Sequence, residues 1–290
     1  MAITFKQGGN VGVSNTKEGR SAVLYGPPFQ GKTSTLQYDK SIKVALIDFD
    51  KNSGVVANED NITIFGADTY EDLVMIREAA AAGVLKIGGQ VIKMDFDLYA
   101  IDSFTSFEEA VKVYVAGTYA KDRKREISTK FGAMSDWQDL QDHEIAEVRA
   151  WQKLTRRPNN PINVLWIGHD MEALGSNDFA KRIQIRLQGK YAAPGIMSAV
   201  DAVFYMIKAP DPKDPNKLYF GVYTLDQTQG GTTYQAAARI PVKERLAMPP
   251  IIWWPKWGDI FRQIGATNIA GGAKDEPAAS DSGTDQKTSG

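Results

Sequence analysis

The sequence predicts an α/β fold: a mostly parallel, twisted sheet flanked by helices, with an antiparallel β-hairpin region towards the C-terminus. Three observations predict it. Short apolar runs rich in β-branched and aromatic residues alternate with longer stretches of helical periodicity, the mark of a parallel sheet. A phosphate-loop pattern stands directly after the first of these runs. A Pro-rich turn over 209–216, APDPKDPN, joins two further β-type runs that its brevity makes antiparallel neighbours.

Taken in order, strands are predicted over 22–25, 44–49, 98–101, 164–167 and 202–207, and helices over 70–82, 107–116 and 136–154. A helix begins at 33–38 after the phosphate loop, a strand over 218–224 follows the Pro-rich turn, and a last short helix covers 257–264. The division expected is an N-terminal extension over 1–20, one core domain over 21–265 and a polar, acidic, disordered tail over 266–290, where large apolar side chains almost vanish.

Composition narrows the chemistry. The chain has 290 residues, of which 43% are hydrophobic, enough for a large core. With no cysteine it holds no disulfide, thiolate metal site or Cys nucleophile, which fits a cytoplasmic protein. His143 and His169 are the only histidines, so an expected metal is a hard, oxygen-seeking ion. No apolar run is long enough to span a bilayer and no signal peptide is evident, so no membrane partner is expected. A net charge of -1 means that nucleic acid, if bound, is bound by a local patch.

The strongest motif is Gly26-Pro27-Pro28-Phe29-Gln30-Gly31-Lys32-Thr33, which fits G-x-x-x-x-G-K-[ST] and is followed by Ser34. Glycines let backbone N–H groups curl around an anion, Lys32 reaches the β- and γ-phosphates, and the Thr33 hydroxyl can ligate Mg²⁺. The cofactors expected are therefore ATP and Mg²⁺. Asp102 ends the apolar run DLYAID and is placed to hold the ion through water. Since Ser103 follows it and supplies no base, a carboxylate from the neighbouring strand VALIDFD must polarise the attacking water; Asp50 is the candidate and Asp48 stays possible.

These residues resemble the RecA-like P-loop NTPases, and more narrowly the phage-encoded RecA-core ATPases grouped as AAA-type phage nucleotide-binding proteins, some of which are single-strand annealing recombinases. The resemblance covers roughly residues 20 to 250, on GPPFQGKTS, LYAIDSFTSF, the helix containing Trp137, WIGHD, LQGKYAAPGIMSAVDAVFYM and VKERLAMPP in that order. It implies that His169 stands where the family has a polar sensor of the γ-phosphate, often Gln. The family usually has Glu where this chain has Asp50. The resemblance further implies that Lys243 and Arg245 enter a neighbouring subunit's site as an arginine-finger element, and hence that copies assemble as a ring or filament. Full-length cellular recombinases carry an extra N-terminal DNA-binding domain that this sequence lacks.

Single-stranded DNA is the partner this resemblance implies. One candidate element is the stretch with Lys121, Arg123, Lys124, Arg125 and Lys130, whose alternative reading is a solvated face. A second holds Lys181, Arg182, Arg186 and Lys190, whose alternation also fits a half-exposed strand with no ligand. Trp253, Trp254 and Trp257 read as packing or a subunit contact, and the acidic tail could dock a single-strand-binding protein. The function expected is an ATP- and Mg²⁺-dependent, DNA-stimulated ATPase promoting annealing or recombination. Its rival is a P-loop motor or switch, such as a helicase loader or assembly factor, acting on protein partners.

Overall fold

The computed structural model describes residues 17–123, 134–174, 181–188, 191–211, 214 and 217–269. From the N-terminus come β1 (Ser21–Gly26), a 3-10 turn at Thr33–Tyr38, β2 (Val44–Asp48), β3 (Ile62–Gly66), helix α1 (Tyr70–Ala82), the hairpin β4 (Val84–Ile87) and β5 (Gln90–Lys93), and β6 (Leu98–Asp102). Two long helices follow, α2 (Phe104–Arg123) and α3 (Met134–Thr155), then β7 (Asn163–Leu174), β8 (Lys181–Ile185), α4 (Ala192–Ala199) and β9 (Ala202–Pro210). The rest comprises β10 (Leu218–Tyr223), short strands β11 (Gln227–Gln229), β12 (Thr232–Tyr234) and β13 (Ala237–Ala238), helix α5 (Val242–Ala247), β14 (Ile251–Trp253) and α6 (Trp257–Gln263).

The main sheet has the order β3-β2-β6-β7-β1-β9-β10-β14. Every pairing from β3 to β9 is parallel, whereas β10 returns antiparallel to β9 and β14 antiparallel to β10. The predicted mostly parallel sheet with an antiparallel hairpin is therefore what forms. Beyond the sheet, β7 runs on through Leu174 and pairs antiparallel with β8, which joins β12 and β11 in a small side ribbon.

Strands covered on both faces read as continuous apolar runs. All six residues of β1 and all five of β2 and β6 are buried. Their side chains alternate between two cores: Val23, Tyr25, Ile47 and Ile101 face α1 to α4, and Ala22, Leu24, Leu46 and Ala100 face the 3-10 turn and α6. Helix α1 begins on a capping box, Thr69 with Asp72, and ends at Gly83, whose φ of 77° suits a residue without a Cβ.

The differences from the predicted elements have local causes. Edge strand β3 is only half-buried, so ITIFG lacks the run that betrays its neighbours. Helix α4 carries Pro194 and Gly195, which disguise it; the proline sits in the first turn, where no backbone bond is lost, and an ideal Cβ on Gly195 would lie 2.5 Å from Ile145 Cδ1 of α3. Helix α2 starts at Phe104, only one residue after β6, so the strand hands over to the helix without a loop. The helix expected after the phosphate loop is a six-residue 3-10 turn. The N-terminal and C-terminal segments of the expected division lie mostly outside the described residues, and Glu18 meets Thr267 where the described chain begins and ends.

That 3-10 turn is bolted down by α6. The Trp257 indole is fully buried, packs on Phe204 and Phe261, and donates from Nε1 to Thr35 Oγ1 at 3.0 Å, while Gly258 N donates to Asp39 Oδ2 at 2.8 Å. Trp257→Ala removes the indole from a close-packed site and should lower the unfolding free energy by ~3–5 kcal/mol, with a smaller loss for Trp257→Phe, as read by urea unfolding.

Candidate nucleotide-binding site

The loop between β1 and the 3-10 turn is shaped by backbone conformations that its sequence provides. Gly31 has φ 76°, and a Cβ there would stand 3.2 Å from the Phe220 ring. At Gly26 a Cβ would come within 2.9 Å of Met206 Cβ, so only glycine lets β1 end against β9. Phe29 holds a φ of 61°, a conformation that costs a bulky residue, and its side chain is 100% exposed at the loop tip. A left-handed residue followed by right-handed Lys32 forms the kind of concave turn whose N–H groups converge on an anion.

Parallel strands place their C-terminal ends on one side of the sheet, and a cavity of about 540 Å³ opens there, large enough for a nucleotide. Its lining includes Pro28 to Ser34, Asp50, Asn52, Val55, Asp102 and His169. Within it the Thr33 hydroxyl donates to Asp102 Oδ2. Lys32 is 6% exposed and donates from Nζ to the carbonyls of Gly26 at 3.0 Å and Pro27 at 2.8 Å, folded onto its own loop. Pro27 faces a neighbouring cavity rather than this one.

Burial sets the electrostatics. It lowers the Lys32 amine to about 8, an effect the nearby carboxylates Asp102, Asp170 and Asp50 oppose. Burial likewise raises Asp102 to about 6, against the Thr33 hydrogen bond, with Asp50 adding to the rise. His169 is lowered by burial and then by the Lys32 charge, so its imidazole is neutral at pH 7.

The residues fit a triphosphate with a hard cation. Among the described residues, Gln30 Oε1 and His169 Nδ1 are buried without a hydrogen-bond partner, a costly state that a polar ligand would relieve. Among the described residues no group of three or more His, Cys, Asp or Glu could cage a metal by itself. That suits Mg²⁺, which takes one or two protein oxygens and completes its shell with phosphate and water. Thr33 and Asp102, already in contact, would be those oxygens.

The two candidate bases, Asp50 and Asp48, sit in different surroundings. Asp50 lines the cavity, and its Oδ1 accepts from Ser103 Oγ at 2.9 Å and from Ser106 Oγ. Asp48, opposite Asp102 in the strand register, is buried and accepts from Ser53 N at 3.1 Å. The sequence points to Ser103 only as the residue after Asp102 and does not point to Ser106. His169 stands opposite Gly26 in the register, at the phosphate end of the sheet.

The remaining candidates lie elsewhere. Lys243 and Arg245 are exposed on α5 and do not line the cavity. Lys181, Arg182 and Arg186 are exposed; the first two lie on β8, with Lys181 paired to Glu172 at 3.1 Å, and the Arg186 backbone N–H donates to the His169 carbonyl at 2.8 Å. Lys121 and Arg123 belong to the last turn of α2, while Lys124, Arg125, Lys130 and Lys190 lie outside the described residues. None of the described helices is long and apolar enough to cross a membrane.

With this geometry in place the comparisons decide the family, because residues 18–240 match the AAA domain family designated AAA_24. The chain belongs to this AAA domain family. Its fold is accordingly that of an AAA-type P-loop ATPase. No curated protein sequence matches the chain. Among solved structures, a KaiC-like protein from the hyperthermophilic archaeon Pyrococcus horikoshii OT3 is similar over 71% of this chain and 79% of its own, at 10% identity and a TM-score of 0.37.

The ionisations predict a bell-shaped dependence of Mg²⁺–ATP binding on pH. A triphosphate prefers protonated Lys32, so affinity should fall towards tenfold per pH unit as pH rises above about 8. On the acid side Asp102 must lose its proton to hold the ion, so the Mg²⁺-dependent part of the affinity should fall as pH drops below about 6. Calorimetric titration across pH 5 to 10 checks both limbs, and Lys32→Arg should abolish the alkaline one.

Proposed function

We propose that this AAA-family protein is a RecA-like, ATP- and Mg²⁺-dependent ATPase that binds single-stranded DNA, works as an assembly of its own copies and promotes DNA annealing or recombination, in phage DNA metabolism within the host cytoplasm. The observation that carries the ATPase reading is the convergence of Lys32, Thr33, Asp102, Asp50 and His169 on one cavity where the parallel ladders of β1, β2, β6 and β7 end. Bound Mg²⁺ would neutralise charge on the phosphate oxygens. Lys32 would swing from its loop carbonyls to the outer phosphates, Asp50 would accept the proton of the attacking water, and neutral His169 would hydrogen-bond the outermost phosphate.

Self-assembly is supported by charge. Lys32 is the only Lys or Arg among the cavity's lining residues, which also include Asp50 and Asp102. A transition state spreading negative charge over a γ-phosphate calls for a further cation, and Arg245, exposed outside the cavity beside Lys243, is suited to another copy's site. DNA binding is supported by the exposed row of Lys181, Arg182 and Arg186, because the backbone bond from Arg186 to His169 gives that row a direct link to the nucleotide. The rival, a switch acting on protein partners, is favoured by the near-neutral net charge of -1.

Three measurements test this reading. Lys32→Ala should abolish turnover. In the wild type, single-stranded DNA should raise kcat, with affinity falling steeply as salt rises, and joint neutralisation of Lys181, Arg182 and Arg186 should shallow that salt slope; DNA-indifferent turnover would favour the rival. Arg245→Ala should lose about 10³-fold or more in turnover while still binding ATP. Mixing it with Asp50→Asn should restore activity, since each variant supplies what the other lacks.

A further inference from the structure

Ser103 and Ser106 open helix α2, and the Ser103 hydroxyl accepts from the Ser106 backbone N–H at 3.4 Å, as a helix cap does. Both hydroxyls also converge, as donors, on one oxygen of a side chain far away in sequence: Ser103 Oγ donates to Asp50 Oδ1 at 2.9 Å, and Ser106 Oγ donates to the same atom. Among the described residues no hydrogen bond reaches the other carboxylate oxygen, Oδ2, and Asp50 lines the cavity at the phosphate loop. The carboxylate is therefore gripped by one oxygen while the other is left for a proton to be received.

We propose that Ser106, with Ser103, is a positioning residue that fixes the Asp50 carboxylate for the hydrolytic step, so that the start of helix α2 sets the activity of the base; this rests on the ATPase reading above. Asp50 has one methylene fewer than glutamate and lies two residues beyond the end of β2, on a segment that the strand ladder does not hold. Two converging donors replace the missing restraint, as the third member of a catalytic triad orients its base. Ser106 also stands between two spaces. It lines a second cavity of about 590 Å³, into which Phe49 and Lys51, on either side of Asp50, also project. The same helix runs on to Lys121 and Arg123, ~22 Å along its axis.

Steady-state kinetics on the full chain, with binding of a fluorescent ATP analogue and thermal melting measured in parallel, tests the proposal. Ser106→Ala should lower kcat at least about tenfold, within the contribution of a general base, while KM, analogue affinity and melting temperature stay near wild type. Ser106→Thr, which keeps the hydroxyl, should recover most of the rate. In an Asp50→Asn background Ser106→Ala should cost nothing more, because the base it positions is already gone. An unchanged kcat in Ser106→Ala, or the same loss in the Asp50→Asn background, overturns the positioning role. A wild-type chain that binds the analogue and hydrolyses nothing would instead overturn the ATPase reading, and this inference with it.

Discussion

The contact between Thr33 and Asp102 is the constraint on which the rest of this molecule depends. Strand β7 lies between β1 and β6, so the ends that carry these residues are ~10 Å apart, two strand spacings. The loop after β1 must turn back across that gap, and it does so with Gly31 at a φ of 76° and with a tight 3-10 turn instead of a long helix. The turn is in turn anchored by Trp257 and Asp39, which tie it to α6. A helix more than two hundred residues further along the sequence thus holds the turn that begins at Thr33.

The same arrangement explains why the site is electrostatically primed. Lys32 and Asp102 are buried and His169 is half-buried, and burial pushes each towards its neutral form. A triphosphate with a divalent ion reverses every one of these penalties together, since it gives Lys32 an anion, Asp102 a cation and His169 a hydrogen-bond partner. The six-residue 3-10 turn contributes only a small dipole.

Much of this was legible in the sequence because it is encoded locally. The glycines, Lys32 and Thr33 form one contiguous pattern, and Asp102 and His169 each close an apolar run, so the strand ends that carry the chemistry could be found without knowing how they pair. What stayed hidden depends on long-range placement. The choice between Asp50 and Asp48 turns on which one projects past the end of β2, and the serine grip on Asp50 joins positions separated by more than fifty residues. Strand β3 and helix α4 were hidden for the opposite reason, since an edge strand and a helix opening on Ala-Ala-Pro-Gly have weak local signals even though their neighbours hold them firmly.

The most direct measurement replaces Mg²⁺ with Mn²⁺ and records electron–nuclear double resonance of the ion bound with a slowly hydrolysed ATP analogue. In the wild type the bound ion should show phosphorus couplings from the triphosphate, and ion affinity should weaken about tenfold or more in both Thr33→Val and Asp102→Asn, the range expected for lost support of a metal site. Equal Mn²⁺ binding in all three proteins, or an ion with no phosphorus coupling, would contradict that role for Thr33 and Asp102.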